Sequence, residues 1–529
     1  MRVNEQRNKD GSVRRYLQLI EAIRVHGKPR QRVIATLVRW DRPDAPRRID
    51  AILEALGAFA ERLTVLDLQK DLSAEAGPAW GPVLVFRRVW QELGLERLWT
   101  WLQEETKVSF ELPEAIFALV LNRLMDPGSR KSLVEEWLPT VWEPRFGGLA
   151  LHHFYRALTY AHRFHHRVED FLFARFTDLF HQELELVLWD TTSVRFEGSH
   201  PTRLARFGKA KDRRSDRRQM VVGVLLTREG WPLAQAVYPG NLNDVKATLS
   251  IIGQLKHRFA FRKVIFVADR GSVGKRTLEA LEEAGFEYIV GMRMRGVRTV
   301  RDEVVGSPGR YRVVSPTLKV KEVVRRGRRY ILAFNPEAAA HDRKVREEVV
   351  QRLRQALEEG SPSDLIHHSR YRRYVTIRKE AVQINEAAIE ADARYDGKFV
   401  VLTNTDRDPA EVAQSYKTLW RVERAFRELK SSLEIRPVYV WTEAHVRGHV
   451  MICFLAFVLE SYLRHQLGEA VSYREALADL AKLRAVPLQV KGKRYLLRTE
   501  LEGTASTVFR LLGIRPPNRV EELPPTRVA

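Results

Sequence analysis

Two aspartates stand where carboxylates are costly unless they do something. Asp190 lies inside an otherwise apolar run, residues 184–196, LELVLWDTTSVRF, and Asp269 directly follows another, residues 263–268, KVIFVA. A carboxylate buried without a partner is destabilising by several kcal/mol, so each needs a counter-charge. A metal ion is one candidate, and a salt bridge, for instance to Arg195 or Arg270, is the other. Joined by Glu423 on a helix packed across the same sheet, the three acids could converge on two Mg²⁺ ions about 4 Å apart. Such a pair activates a nucleophilic oxygen and stabilises the leaving oxygen in an in-line phosphoryl displacement. The sequence offers no better hydrolytic set: it contains no Walker loop, no G-x-S-x-G elbow and no zinc-ligand spacing.

The element that must position Glu423 begins with an apolar strand at residues 398–402 and polar turn residues Thr403 to Asp406. Pro409 then suits a first helical turn, where its missing N–H costs nothing, and a helix is predicted over residues 409–433. Leu419, Val422, Phe426, Leu429 and Leu433 form its apolar stripe. Tyr416, Trp420, Glu423, Arg427 and Lys430 form a second face, a carboxylate flanked by an aromatic and cations. A solvated face with ordinary ion pairs is the other reading of that pattern.

The aspartates need a sheet. Residues 184–196, 220–226 and 232–238 read as strands, 244–258 as a helix, 263–268 as a strand, a helix capped by Ser272 follows, and 286–290 is a strand. Three strands, helix, strand, helix, strand is the order of an α/β, RNase H-like (retroviral integrase-like) core. Residues 293–397 break that rhythm as a basic β-rich insertion with a charged helix at 342–359. The expected division is therefore a basic β-hairpin and helix at 1–75, a possible DNA-contacting module; a helical region at 83–181; core at 182–292; insertion at 293–397; core again at 398–467; and a tail at 468–529. His152, His153, His162, His165 and His166 cluster in the helical region, but no cysteine or fixed carboxylate completes a ligand set there.

The 529 residues carry 89 Lys plus Arg against 67 Asp plus Glu, leaving +22, so the natural partner is a polyanion, with nucleic acid ahead of an anionic membrane. The stretch RLARFGKAKDRRSDRR, residues 203–218, could track phosphates through Lys209, Lys211, Arg213, Arg214, Arg217 and Arg218, and VRRGRRY, residues 324–330, likewise; a solvated loop is the alternative for each. A single cysteine, Cys453, excludes an intrachain disulfide and suits a reducing cytoplasm. The apolar run 450–459 is about half of a bilayer span and reads as a buried helix, and charges from Arg2 onward argue against a secretory signal.

Taken together, these residues resemble the three acids of DDE transposases from bacterial insertion sequences, in the subgroup with a β-strand insertion before the last acid and a Tyr/Arg/Glu/Lys signature helix. Tyr416, Glu423 and Lys430 fall at that family's spacing; the arginine position is occupied by Leu419, with Arg421 or Arg427 as substitutes. The strings DGKFVVLTNT, WRVERAFRELKSSLEIRPVY, HVRGHV, VADRG and YPGNLND extend the likeness over residues 16–465. The resemblance implies Mg²⁺-dependent cleavage at element ends, with Mn²⁺ able to substitute, and transfer of the freed 3′-hydroxyl into target DNA. It further implies Asp190, Asp269 and Glu423 as catalytic and metal-binding residues, and Tyr416, Arg421, Arg427, Lys430 and Arg270 as contacts to the phosphate backbone. It also implies double-stranded terminal repeats and target DNA as partners, a homodimer on DNA and a nucleoid-associated cytoplasmic location without membrane contact. A catalytically inactive DNA-binding repressor, or a nuclease of the same fold without strand transfer, are the competing readings.

Overall fold

The computed structural model describes residues 1–25, 28–57, 59, 72–74, 77–180, 186–197, 202–208, 217–258, 265–271, 273–359, 369–378, 381–490 and 493–524. Ser272, Lys209, Lys211, Arg213, Arg214 and the expected turn at His26 and Gly27 lie outside them. The chain divides into two compact units, one comprising Met1–Pro78, Leu483–Glu500 and Pro516–Ala529, the other Ala79–Lys482 and Leu501–Arg515.

In the smaller unit an antiparallel meander, Arg2–Arg7, Val13–Val25 and Lys28–Arg39, precedes a helix at Ala45–Gly57. The meander has one strand more than the sequence suggests. Arg14, Arg15, Arg24, Arg30 and Arg32 are all exposed on it. Strands Ala485–Val490 and Lys493–Arg498 pair as expected, flanked by Leu72–Ala74 and Val520–Glu522.

The larger unit begins with five long helices, α1 (Gly81–Glu92), α2 (Leu95–Glu104), α3 (Leu112–Met125), α4 (Leu151–Arg163) and α5 (His165–Phe180), with short helical turns between α3 and α4. Their core includes Trp90, Trp99, Phe86 and Phe117, all fully buried. Arg87 is drawn into that core with its charge matched by Glu114 at 2.6 Å and Glu143 at 2.9 Å, the pairing that makes a buried guanidinium tolerable.

After these come nine strands of one sheet: β1 (Leu186–Arg195), β2 (Gln219–Thr227), β3 (Pro232–Pro239), β4 (Ile265–Ala268), β5 (Glu287–Gly291), β6 (Arg312–Ser315), β7 (Leu318–Arg325), β8 (Arg328–Phe334) and β9 (Lys398–Thr403). Their order across the sheet is β6-β7-β8-β9-β5-β4-β1-β2-β3. β4 runs parallel to both β1 and β5, and the other pairs are antiparallel. The residues of β2 are buried throughout, which is why its sequence, QMVVGVLLT, lacks alternation. Of the basic stretch after β5, strands β6, β7 and β8 extend this same sheet, because β8 pairs along its length with β9, whereas Val375–Arg378 and Ala381–Ile384 pair with each other as a separate two-stranded sheet. The helix α6 (Pro336–Glu358) and what packs on it form a separate small cluster, Val349, Val350, Leu353, Tyr371 and Tyr374.

One helix, Asp244–Arg258, covers the face of β1 that carries Trp189 and Thr191: the Trp189 indole donates to Thr248 Oγ1 at 3.1 Å, and the Thr191 hydroxyl to Asp244 Oδ1 at 2.6 Å. The Trp189 ring lies so close over β2 that a Cβ at Gly223 would stand 2.0 Å from it. Residues 190 and 192 consequently point to the other face, since successive side chains alternate. On the far side the long helix expected over residues 409–433 is two helices, Pro409–Lys417 and Trp420–Ser431. The cause is local. The Thr418 hydroxyl donates back to the Ser415 carbonyl at 2.6 Å, and Thr418, Leu419, Arg421 and Val422 donate to carbonyls only three residues earlier. That tightens and turns the chain. Val422, Phe426, Leu429 and Leu433 are buried as the apolar stripe requires, but Tyr416 no longer shares a continuous face with Glu423.

The helix Glu443–Leu467 has the length and composition to cross a bilayer, yet nearly all of its apolar window is buried within the fold. It holds Cys453, buried and free.

Candidate active site

The register of the three parallel strands determines where the acids stand. Trp189 of β1 is opposite Ala268 of β4, which is opposite Val290 of β5. Asp190, Asp269 and Gly291 each follow directly on these last paired residues, on neighbouring strands about 4.8 Å apart. Asp190 is half-buried, and its Oδ1 accepts the Thr191 backbone N–H at 2.7 Å.

Tyr416, at the end of the first of the two far-side helices, reaches down onto these strands. Its hydroxyl donates to Asp269 Oδ1 at 3.0 Å. The ring occupies the space above β5 that a side chain at 291 would need: a Cβ there would come 2.1 Å from the phenol oxygen. Gly291 is therefore a seat for Tyr416, the close approach that glycine at a strand end often marks. Phe399 stacks against the ring at 5.5 Å. Burial pushes the phenol's pKa above its ordinary value of 10.0, the Asp269 carboxylate and the bond to it push the same way, Arg270 opposes, and Glu423 adds to the rise. Glu423 is thus within electrostatic reach of the same phenol, although its side chain is exposed.

Among the described residues no three Asp, Glu, His or Cys side chains are gathered closely enough to hold a metal ion. The two aspartates follow on from paired residues of neighbouring strands and Glu423 stands on its helix, without a three-carboxylate cage. As a donor set, carboxylate oxygens are what Mg²⁺ takes, and it commonly uses one or two of them with water completing the shell. Asp190 and Asp269 fit that requirement.

The candidate contact residues are distributed differently. Arg421 does not point along the Glu423 face: its guanidinium donates to the Arg228 carbonyl in the β2–β3 turn and its stem lies over Gly230. Arg427 is exposed and Lys430 half-buried, both on the helix of Glu423. Arg270 is exposed beside Asp269. In the basic stretch, Arg217 pairs with Glu197 and Arg218 lies over the Phe207 ring at 5.6 Å. Arg206 pairs its backbone with Gln219 of β2, which ties the described start of that stretch to the sheet. Among the histidines, His153 Nδ1 accepts the Ala150 N–H at 3.0 Å and its ring stacks on Phe110, a helix-capping role. Sequence reasoning did not pair Tyr416 with Asp269 or notice Gly291; the available signal was a glycine closing an otherwise apolar strand.

Known proteins resemble the chain in two segments. A family described as the transposase DDE domain matches residues 181–459, and the N-terminal domain of the IS1634 family transposases matches residues 1–71. No curated protein matches. Among solved structures, the piggyBac transposase synaptic complex with hairpin DNA aligns with 76% of this chain and 79% of that one at 10% identity. Its TM-score of 0.35 is too low to carry any argument. The first match spans more than half of the sequence and contains all three acids, and the chain accordingly belongs to the DDE-domain transposases of insertion sequences.

Proposed function

We propose that this DNA-processing enzyme cuts DNA at the ends of its own insertion sequence and joins the freed 3′ ends to a target, on an RNase H-like core. The observation that carries the reading is that Asp190 and Asp269 directly follow the paired residues Trp189 and Ala268 of adjacent parallel strands, with Tyr416, one helix before that of Glu423, bonded to Asp269. The strand order β3-β2-β1-β4-β5 supports the core assignment. Asp190 and Asp269 are the residues that would hold Mg²⁺ or Mn²⁺, with Glu423 as the third acid brought in from its helix, and the ion when bound supplies Lewis-acid activation of water and of the 3′-hydroxyl. Tyr416 holds the Asp269 carboxylate by a charge-assisted bond and keeps its proton through the neutral range. Arg270, Arg427 and Lys430 supply positive charge to the phosphate backbone, and residues 1–75 serve as a DNA-contacting module. Two copies act together because both ends of an element are handled in one event. One buried free thiol suits the reducing, DNA-containing cytoplasm in which such a reaction takes place.

Asp190→Ala, Asp269→Ala and Glu423→Ala are each expected to abolish Mg²⁺-dependent nicking of DNA bearing the element's ends while leaving binding within about threefold of wild type. If all three variants still nick, the catalytic assignment fails. A wild-type protein that protects the DNA without cutting is a repressor. One that cuts without giving a joined product with a target plasmid is a nuclease.

A further inference from the structure

Beyond Asp269 and Gly291 the chain places three arginines around one depression of about 300 Å³, lined by Arg270, Arg293, Met294, Arg295 and Gly296. Arg270 follows Asp269 directly, and Arg293 lies two residues past the Gly291 seat of Tyr416, so the depression adjoins Asp269. The guanidiniums are not equivalent. Arg295 is fixed: Asp392 accepts from it at 2.6 Å and the Tyr395 ring lies 4.5 Å beneath it. Arg270 and Arg293 are exposed, and among the described residues neither has a carboxylate partner. One of three positive charges is neutralised in place and two are left facing a shared hollow. That arrangement repels cations and is self-repulsive until an anion enters it. Guanidinium forks match the oxygens of a phosphate in pairs, which an ammonium does not.

We infer that Arg270 and Arg293, braced by Arg295, form a phosphodiester-binding clamp that seats a DNA phosphate beside the bond to be cut. The inference rests on the DNA-cutting function proposed above and names a subsite of it. Its role is to set the register of the strand: with a neighbouring phosphate held here, the scissile one is carried over Asp190 and Asp269. Phosphate contacts fix position without reading sequence, so the clamp serves every DNA end equally.

The test uses the full chain and a fluorescein-labelled duplex that the wild-type protein cuts, with binding measured in EDTA. Arg293→Ala and Arg270→Ala are each expected to weaken binding about tenfold and to lower the slope of log K against log salt by about 1. Replacing single phosphates near the cut by methylphosphonate should reveal one position whose neutralisation weakens wild type about tenfold and leaves Arg293→Ala unaffected. Arg293→Lys should recover part of the loss, since charge returns without the fork. Variants with the wild-type slope and the wild-type methylphosphonate profile overturn the clamp while cutting by wild type keeps the parent reading intact. A wild-type protein that cuts no DNA overturns the parent reading, and the clamp with it. Both side chains are exposed, so the substitutions should leave the melting temperature unchanged, which separates lost contact from lost fold.

Discussion

Tyr416 makes the one described side-chain hydrogen bond that reaches Asp269 from a helix. Its phenol donates to the Asp269 carboxylate from a half-buried position, where the bond is better shielded from water than at the surface and fixes one carboxylate oxygen. The raised pKa has a definite sign: the phenol's stabilising contribution is fully present below its unfolded value of 10.0 and is lost only as pH rises through the higher folded value. Tyr416→Phe is therefore expected to slow cutting about 10- to 100-fold, the range for one hydrogen bond to a charged group. The deficit should stay constant between about pH 6 and 9, and a pH–rate profile of both proteins checks it. A deficit that disappears within that window means the phenol is not the donor. Gly291→Ala tests the seat instead of the donor. Its methyl would lie 2.1 Å from the phenol oxygen, so the ring must move; a loss of cutting together with about 1–3 kcal/mol of stability is expected. Activity and thermal melting measured on the same sample decide it.

At the scale of elements, the two-helix break after Lys417 decides what each side chain can reach. Seven-residue spacing on an unbroken helix would have stacked Tyr416 and Glu423 on one face; the Thr418 turn instead sends Tyr416 down to the strand ends and leaves Glu423 on the helix above. Arg421, beside the break, locks the second helix to the β2–β3 turn through the Arg228 carbonyl. It is an anchor in this structure, so Arg421→Ala is expected to lower the melting temperature by about 2 °C and to leave the salt slope of DNA binding unchanged. A slope lower by about 1 would assign it to the DNA instead. Part of this level was legible beforehand: Pro409 opens the first helix as a first-turn proline should, and the structure adds Asp408 as its cap, the carboxylate accepting the Ala410 N–H at 2.8 Å. The break was not legible, because a threonine inside a helical pattern signals only a weak preference until its hydroxyl finds a carbonyl.

For the whole molecule, the +22 balance predicts binding dominated by phosphate neutralisation. Between 50 and 200 mM salt the affinity for duplex DNA is expected to fall about 10³- to 10⁵-fold, the range for 6–10 phosphate contacts; fluorescence anisotropy at several salt concentrations checks it. A flat response would remove the polyanion as partner. The sequence by itself determined where most of the strands and helices lie, the first N-terminal strand and the break after Lys417 excepted, because apolar runs, caps and prolines act within a few residues, and it singled out Asp190 and Asp269 as carboxylates in apolar strands. It also carried the family likeness. Only the tertiary structure decided that these two aspartates follow on from residues paired on adjacent strands, that Gly291 seats Tyr416, and that the strands from Arg312 to Phe334 widen the same sheet. The reason is register: a strand's pairing partners are chosen by contacts tens to hundreds of residues away. No local pattern of residue types encodes which of two neighbouring strands a carboxylate will face.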